Sequence, residues 1–336
     1  MQMNVLSQHC LEGLGFARFR FTISPLGMLY LPAFKGSTLR GGFGAALKHM
    51  VCLMGKESCT NCILRDRCAY CTIFESPRPL GSNVERSASY DPHPFVIEPP
   101  LEARQEYLPG ERLAFNVVLV GKGTDYFPYF ILAFKELGGR GIGKGKGGFE
   151  LIKVENITEE RDGGRLMWDG ESQTVRTDYK VTRFNDILEQ IQGLNPSAVT
   201  LHFVTPTRIK WHGSLIAEID FETFMRNLLR RLAWLSELYC GQRWDIDYTP
   251  LLEQAIETAR TAESDIHWYE WERYTSRQDT RLKMGGFIGS ITFEGELGEF
   301  LPFIKMGEYL HVGQGTAFGL GKYIMETSGG KQKSRS

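Results

Sequence analysis

From Phe16 to Ile23 the chain reads FARFRFTI, apolar and basic residues alternating as a half-buried strand requires. The period then lengthens. Leu39, Phe43, Leu47, Met50 and Met54 recur at three and four residues, which predicts a helix with one apolar stripe and Ser37 or Thr38 as its N-cap. Beyond a cysteine-rich stretch come two strand patterns, HPFVIEPP and RLAFNVVLVG. A helix follows over YFPYFILAFKELGG, then a loop, GRGIGKGKGG, and a strand, FELIKVENI. The second half repeats this grammar with the strand AVTLHFV, a helix ending at Gly241, strands WYEWERYTS and FIGSITFEG, and the helix LGEFLPFIKMGEYL. A glycine loop and the strand GKYIMET close it. Each half therefore reads β-α-β-β-α-β, and the repeat predicts an α+β fold of two tandem ferredoxin-like domains.

A chain of 336 residues exceeds the usual size of one core, which agrees with two domains. Residues 1–157 form the first expected domain, with a cysteine-rich insertion at about residues 52–75. Residues 158–178 lack periodicity and are expected to be a linker. Residues 179–327 form the second domain, and the polar tail 328–336 is expected to be disordered. With 42% hydrophobic and 24% charged residues the composition is that of a globular protein. There is no signal-peptide pattern and no long apolar span, so the expected location is the cytoplasm, away from membranes. The net charge of −1 gives no global attraction to nucleic acid, so any anionic partner must be held by local clusters of Arg and Lys.

The glycine loops invite a nucleotide-site reading, because Gly138 to Gly145 fits GxxxxGK and Gly143, Gly145 and Gly148 fit GxGxxG. The context excludes it: such motifs follow a strand and open a helix, whereas both loops follow a helix and open a strand. What the loops offer is backbone that can approach another group closely. With Arg140, Lys144 and Lys146 in the first loop and Lys322 beside the second, exposed amides and cations suit a phosphate backbone. The plainer reading is that the glycines permit tight packing against the sheet.

The segment FIKMGEYLHVGQGTAFGLGKYIM resembles the C-terminal glycine-rich signature of the CRISPR precursor-RNA processing endoribonucleases of the RAMP superfamily. LRGGFGAALKHMVC, CTNCILRDRCAYCTIFE, GIGKGKGGFELIKV, VTPTRIK, LLRRLAWL and RYTSRQDTRLKMGGFIGSI agree with it in order, from about Leu39 to Met325. The resemblance implies two ferredoxin-like domains that bind CRISPR repeat RNA and cut it without a metal. The 2′-OH would be the nucleophile, leaving a 2′,3′-cyclic phosphate and a 5′-OH. It also admits an RNA-binding subunit that holds the repeat-derived end of a guide RNA without cutting, and other CRISPR effector subunits as partners.

Such a reaction needs a base, an acid and cations for the phosphorane, and histidine is the natural shuttle near neutral pH. The seven are His9, His49, His93, His202, His212, His267 and His311. The resemblance implies a catalytic histidine on or near the first helix, which selects His49. It falls roughly 120° from the centre of the apolar stripe, on the side of Gly42 and Ala45. His311, just before the second glycine loop, is the other catalytic candidate. The RNA-binding candidates are Arg40, Lys48, Arg140, Lys144, Lys146, Arg273, Arg277 and Lys322, with the loop glycines Gly313, Gly315, Gly319 and Gly321. Arg273 and Arg277 would share one face of a strand. Arg226, Arg230 and Arg231 read as the polar side of the helix that carries them.

Cys59-x2-Cys62 and Cys68-x2-Cys71, with Cys52 seven residues earlier, have the thiolate spacing of a structural metal site. Zinc is the expected metal, with an iron-sulfur cluster as the other thiolate-bound group. The resemblance implies Cys52, Cys59, Cys62 and Cys68 as ligands and leaves Cys71 as the substitute. The metal would pin the insertion and take no part in cleavage.

Overall fold

The computed structural model describes residues 10–55, 59–75, 92–158, 163–211, 213–244, 247–275 and 280–328. The first half places β1 (Phe16–Pro25), α1 (Gly36–Val51), β2 (Phe95–Glu98), β3 (Leu113–Val120), α2 (Phe127–Arg140) and β4 (Phe149–Asn156) in the expected order. A further strand, β5 (Arg165–Asp169), lies inside the stretch read as a linker and pairs with β4. Only Met167 and Trp168 of this strand are buried, too short an apolar signal to register as periodicity. The second half holds α3 (Phe184–Gln190), β6 (Ala198–Thr207), α4 (Phe221–Leu235), α5 (Thr249–Thr258), β7 (Ala259–Thr275), β8 (Thr280–Gly295), α6 (Leu301–Leu310) and β9 (Tyr323–Thr327).

The two larger sheets run β2-β3-β1-β4-β5 and β7-β8-β6-β9, with antiparallel neighbours throughout. In each, the first strand of the repeat sits between its third and fourth. This shared order makes both halves ferredoxin-like and realises the sequence repeat in three dimensions.

Aromatic residues join helices to sheets. Phe43 of α1 stacks on Phe130 and Phe134 of α2, and Phe134 packs on Phe21 and Phe115 of the first sheet. In the second domain Phe224 of α4 meets Phe203, Phe293 and Tyr323, whose hydroxyl donates to the Ile304 carbonyl on α6 at 2.6 Å. Fully burying each such ring contributes about 1.5–3 kcal/mol, so these clusters set where each helix lies.

Helix α1 departs from expectation at both ends. It starts at Gly36, and Lys35 at its N-cap makes no side-chain cap bond, so neither Ser37 nor Thr38 caps it. Leu39, Phe43 and Leu47 are buried as the stripe requires, but Met50 is exposed and the helix ends at Val51, before Met54.

Candidate functional site

Four glycines carry the second glycine loop through positive φ: Gly313 at 80°, Gly315 at 75°, Gly319 at 87° and Gly321 at 73°. What they approach is protein. A Cβ on Gly313 would lie 2.5 Å from the Arg208 carbonyl oxygen, and one on Gly321 1.8 Å from that of Val312. A Cβ on Gly319 would lie 2.4 Å from Pro99 Cδ and 2.7 Å from the Ile97 carbonyl oxygen, both in the first domain. From the other side, a Cβ on Gly36 would meet the Phe318 carbonyl oxygen at 1.9 Å. The loop is therefore wedged between the end of β2 and the start of α1. Gly313, Gly319 and Gly321 are buried there, which places their backbone against protein.

A buried carboxylate fastens both ends of this loop. Glu98, the last residue of β2, is 3% exposed. Its Oε1 lies 3.1 Å from His311 Nε2, at the loop's start, and accepts from Lys322 Nζ at 2.5 Å, at the loop's end. Its Oε2 accepts from Arg18 Nη2 at 2.8 Å and from Asn116 Nδ2 at 3.1 Å. Burial works against the Glu98 charge, but Lys322, Arg18 and His311 outweigh it and hold the carboxyl well below its ordinary range. His311 is fully buried, with Nδ1 3.0 Å from the Leu320 carbonyl oxygen. Burial lowers its pKa, with Glu98 acting in the opposite sense.

The first-choice histidine stands elsewhere. His49 is exposed, and its Nδ1 lies 3.1 Å from Glu136 Oε1 on α2, an oxygen that Arg140 approaches at 3.8 Å. Thirteen residues at 1.5 Å each separate it from Gly36, so His49 lies about 20 Å along α1 from the glycine loop. The close partner of Gly42 is α2, since a Cβ there would meet Leu137 Cδ2 at 2.8 Å. Lys48 lies over the Tyr70 ring at 5.4 Å. Lys144 and Lys146 are exposed in a tight turn in which Ile142 pairs with Gly147 and the Lys144 amide donates to the Tyr30 carbonyl.

The structure thus brings His49 together with Arg140 through Glu136, and His311 together with Lys322 through Glu98. These two groups are separate. Lys322, expected at RNA, has its ammonium on Glu98. Arg40 donates to His93 Nε2 at 2.8 Å and stacks over Phe74 at 4.3 Å. Burial, then Arg40 and Arg231, lower the His93 pKa to about 3, so this ring is neutral at pH 7. His93, which Arg40 of α1 contacts, is thus a histidine that sequence reasoning had not chosen. Its signal was faint: a single His between two prolines at a strand entrance.

Arg231 is also a correction, for it is 2% exposed and its Nε donates to the Leu310 carbonyl at 2.9 Å. Arg273 lies on β7, which is described as far as Thr275, opposite Thr280 of β8. Arg277, His9, His212 and most of the expected tail lie outside the described residues.

Cys59 and Cys71 open the first and last of three short helical turns, with Cys62 and Cys68 in the links between them. Burial first, then Cys68 and Cys59 beside it, push the Cys71 thiol up to about 12. Cys52 instead directs its thiol to the Gly55 carbonyl, with Sγ 3.7 Å away. Among the described residues, no group of three or more His, Cys, Asp or Glu side chains is arranged to hold a metal ion.

Comparison with known proteins follows the two domains. Residues 14–179 match the AF_1859_N N-terminal domain, and residues 201–323 match the CRISPR-associated endoribonuclease Cas6. An uncharacterized protein of Archaeoglobus fulgidus is 24% identical over 296 residues, covering 87% of this chain and 91% of the relative. Among solved structures, a Cas6 product complex is 15% identical with a TM-score of 0.55, over 93% of this chain and 100% of that one. Thermus thermophilus Cas6 is 14% identical with a TM-score of 0.53, over 93% and 99%. A partial Cas6-RT-Cas1–Cas2 complex is 14% identical with a TM-score of 0.58, over 95% of this chain and 47% of the longer one. Across nearly the whole chain the tandem ferredoxin-like fold is that of the Cas6 structures. Its second domain carries the Cas6 endoribonuclease match, and the resemblance to the CRISPR repeat-processing endoribonucleases holds.

Proposed function

We propose that this chain binds CRISPR repeat RNA and cleaves it by metal-independent transesterification. The observation that carries the reading is the Cas6 endoribonuclease match over residues 201–323, which includes the glycine loop and ends within two residues of its last glycine. In this reading His49, its Nδ1 held by Glu136, takes the proton of the 2′-OH with its other ring nitrogen. The 2′-oxygen bonds to phosphorus, the bond to the 5′-oxygen breaks, and that oxygen takes a proton from solvent. Products are a 2′,3′-cyclic phosphate and a 5′-OH. Arg140, Lys144 and Lys146 supply positive charge on the same domain to hold the phosphate. The reading places the chain in the cytoplasm; no described helix is long and apolar enough to cross a membrane.

A second reading has its own support. His311 is sealed from solvent and His49 is about 20 Å along α1 from the glycine loop, which favours an RNA-binding subunit that holds the repeat without cutting. The Cas6-RT-Cas1–Cas2 neighbour lends support to other CRISPR subunits as partners under either reading. The deciding experiment pairs repeat-RNA affinity with cleavage for the native chain, His49→Ala and His93→Ala. Cleavage lost only with His49→Ala supports the catalytic assignment. Loss only with His93→Ala moves it to the Arg40 pair, and tight binding without cleavage by the native chain establishes the second reading.

A structural zinc held by Cys59, Cys62, Cys68 and Cys71 is part of the proposal. What supports this choice over Cys52 is that Cys59 and Cys68 neighbour Cys71 while Cys52 turns away; a bound metal would have to draw the four thiolates into a closer array than the structure shows. Bound there, the metal would tie the first two turns to the third, which packs Ile73 and Phe74 into the core of the first domain.

A further inference from the structure

The strongest polar cluster among the described residues is the one around Glu98, and its position is unusual. The carboxylate belongs to the first domain, yet Oε1 meets the residue that enters the glycine loop, His311, and the residue that leaves it, Lys322. Its other oxygen is held inside the first domain by Arg18 and Asn116. One side chain therefore fixes the separation of the loop's two ends and ties both to β1, β2 and β3. The loop is further trapped by contacts that only glycine permits, at Gly36 against Phe318 and at Gly319 against Ile97 and Pro99. A loop with four positive-φ glycines has many alternative conformations when free, so an external fastening selects one.

We propose that Glu98 is a positioning residue: by pinning both ends of the glycine loop it sets the loop, and the two domains beside it, in the one arrangement that grips RNA. The RNA part of this inference rests on the proposed function; the pinning does not. Glu98 touches no substrate. Its role also gives the buried His311 and the half-buried Lys322 a purpose other than chemistry.

The test is amide hydrogen exchange on the full chain without RNA, together with repeat-RNA affinity, for the native protein, Glu98→Gln and Lys322→Met. All are measured well below their melting temperatures. Glu98→Gln removes the charge that Arg18 and Lys322 share, whereas Lys322→Met releases one loop end and leaves Glu98 with His311, Arg18 and Asn116. The inference expects exchange over residues 311–322 and in the first turn of α1 to rise at least tenfold in both variants, with β1 and β6 unchanged. RNA affinity of folded Glu98→Gln should fall at least tenfold. Should Glu98→Gln fail to fold, exchange in Lys322→Met decides the pinning. Native-like exchange in the loop would overturn the inference. Loosened exchange with unchanged RNA affinity would overturn the positioning role, since a purely structural residue would behave that way. Failure of the native chain to bind repeat RNA would sink the functional reading instead and leave the exchange result to judge the pinning.

Discussion

Replacing Gly36 by alanine should destabilise the protein, while the same change five residues later should stabilise it. A Cβ on Gly36 would stand 1.9 Å from the Phe318 carbonyl oxygen and 3.1 Å from the Phe34 ring. The obstacle is backbone of the other domain, so the helix start and the loop must part by about 1.5 Å to restore contact distance. Overpacking of this kind costs about 1–3 kcal/mol, and a first-turn position gains little helix propensity in return. Gly41, on the same helix, has nothing within 4 Å of its would-be Cβ. There alanine should add about 0.5–1 kcal/mol by helix propensity. The pair should differ by about 1.5–4 kcal/mol, a separation of roughly 3–8 °C at about 2 °C per kcal/mol. Thermal melts of the two variants beside the native chain make the comparison. If Gly36→Ala melts with or above Gly41→Ala, the loop is not seated on α1 and the account of the domain interface fails.

The Glu98 cluster gives a pH dependence. Its folded pKa lies well below the ordinary 4.5, so its contribution is present above the unfolded value and is lost as pH falls through the folded one. Between pH 5 and 3 the native chain should lose more stability than Glu98→Gln in denaturant titrations; equal losses would remove Glu98 as the cause. Replacing Cys71 by serine should lower zinc content after purification from about one equivalent to near none, read by metal analysis, with cleavage retained. Cys52→Ser should keep its zinc, and the reverse pattern would restore the ligand set that the family resemblance implies.

Period and order carried the fold. The shift from alternation at Phe16 to a three-and-four spacing at Leu39, repeated in the second half, suffices for two βαββαβ units, and the sheet orders agree. Residues 158–178 were misread because two buried residues, Met167 and Trp168, make a strand without making a pattern. The site was less legible. Residue type suggested His311 and Lys322 for RNA, but only the tertiary fold brings Glu98, more than 200 residues away, onto both. Gly42 proves to face Leu137 of α2, a neighbour that packing decides and the helical pattern does not name. Helical periodicity gave Arg231 a polar face, and the carbonyl it reaches, that of Leu310 at the end of α6, comes from a distant stretch of chain.

The most direct test of the central claim is single-turnover cleavage of the cognate repeat RNA in EDTA, beside the same RNA carrying a 2′-deoxy substitution at the cut site. The account predicts cutting of the first to a 2′,3′-cyclic phosphate and a 5′-OH, with the second bound as tightly but left whole. Cutting that stops in EDTA, or that proceeds on the 2′-deoxy strand, would contradict it.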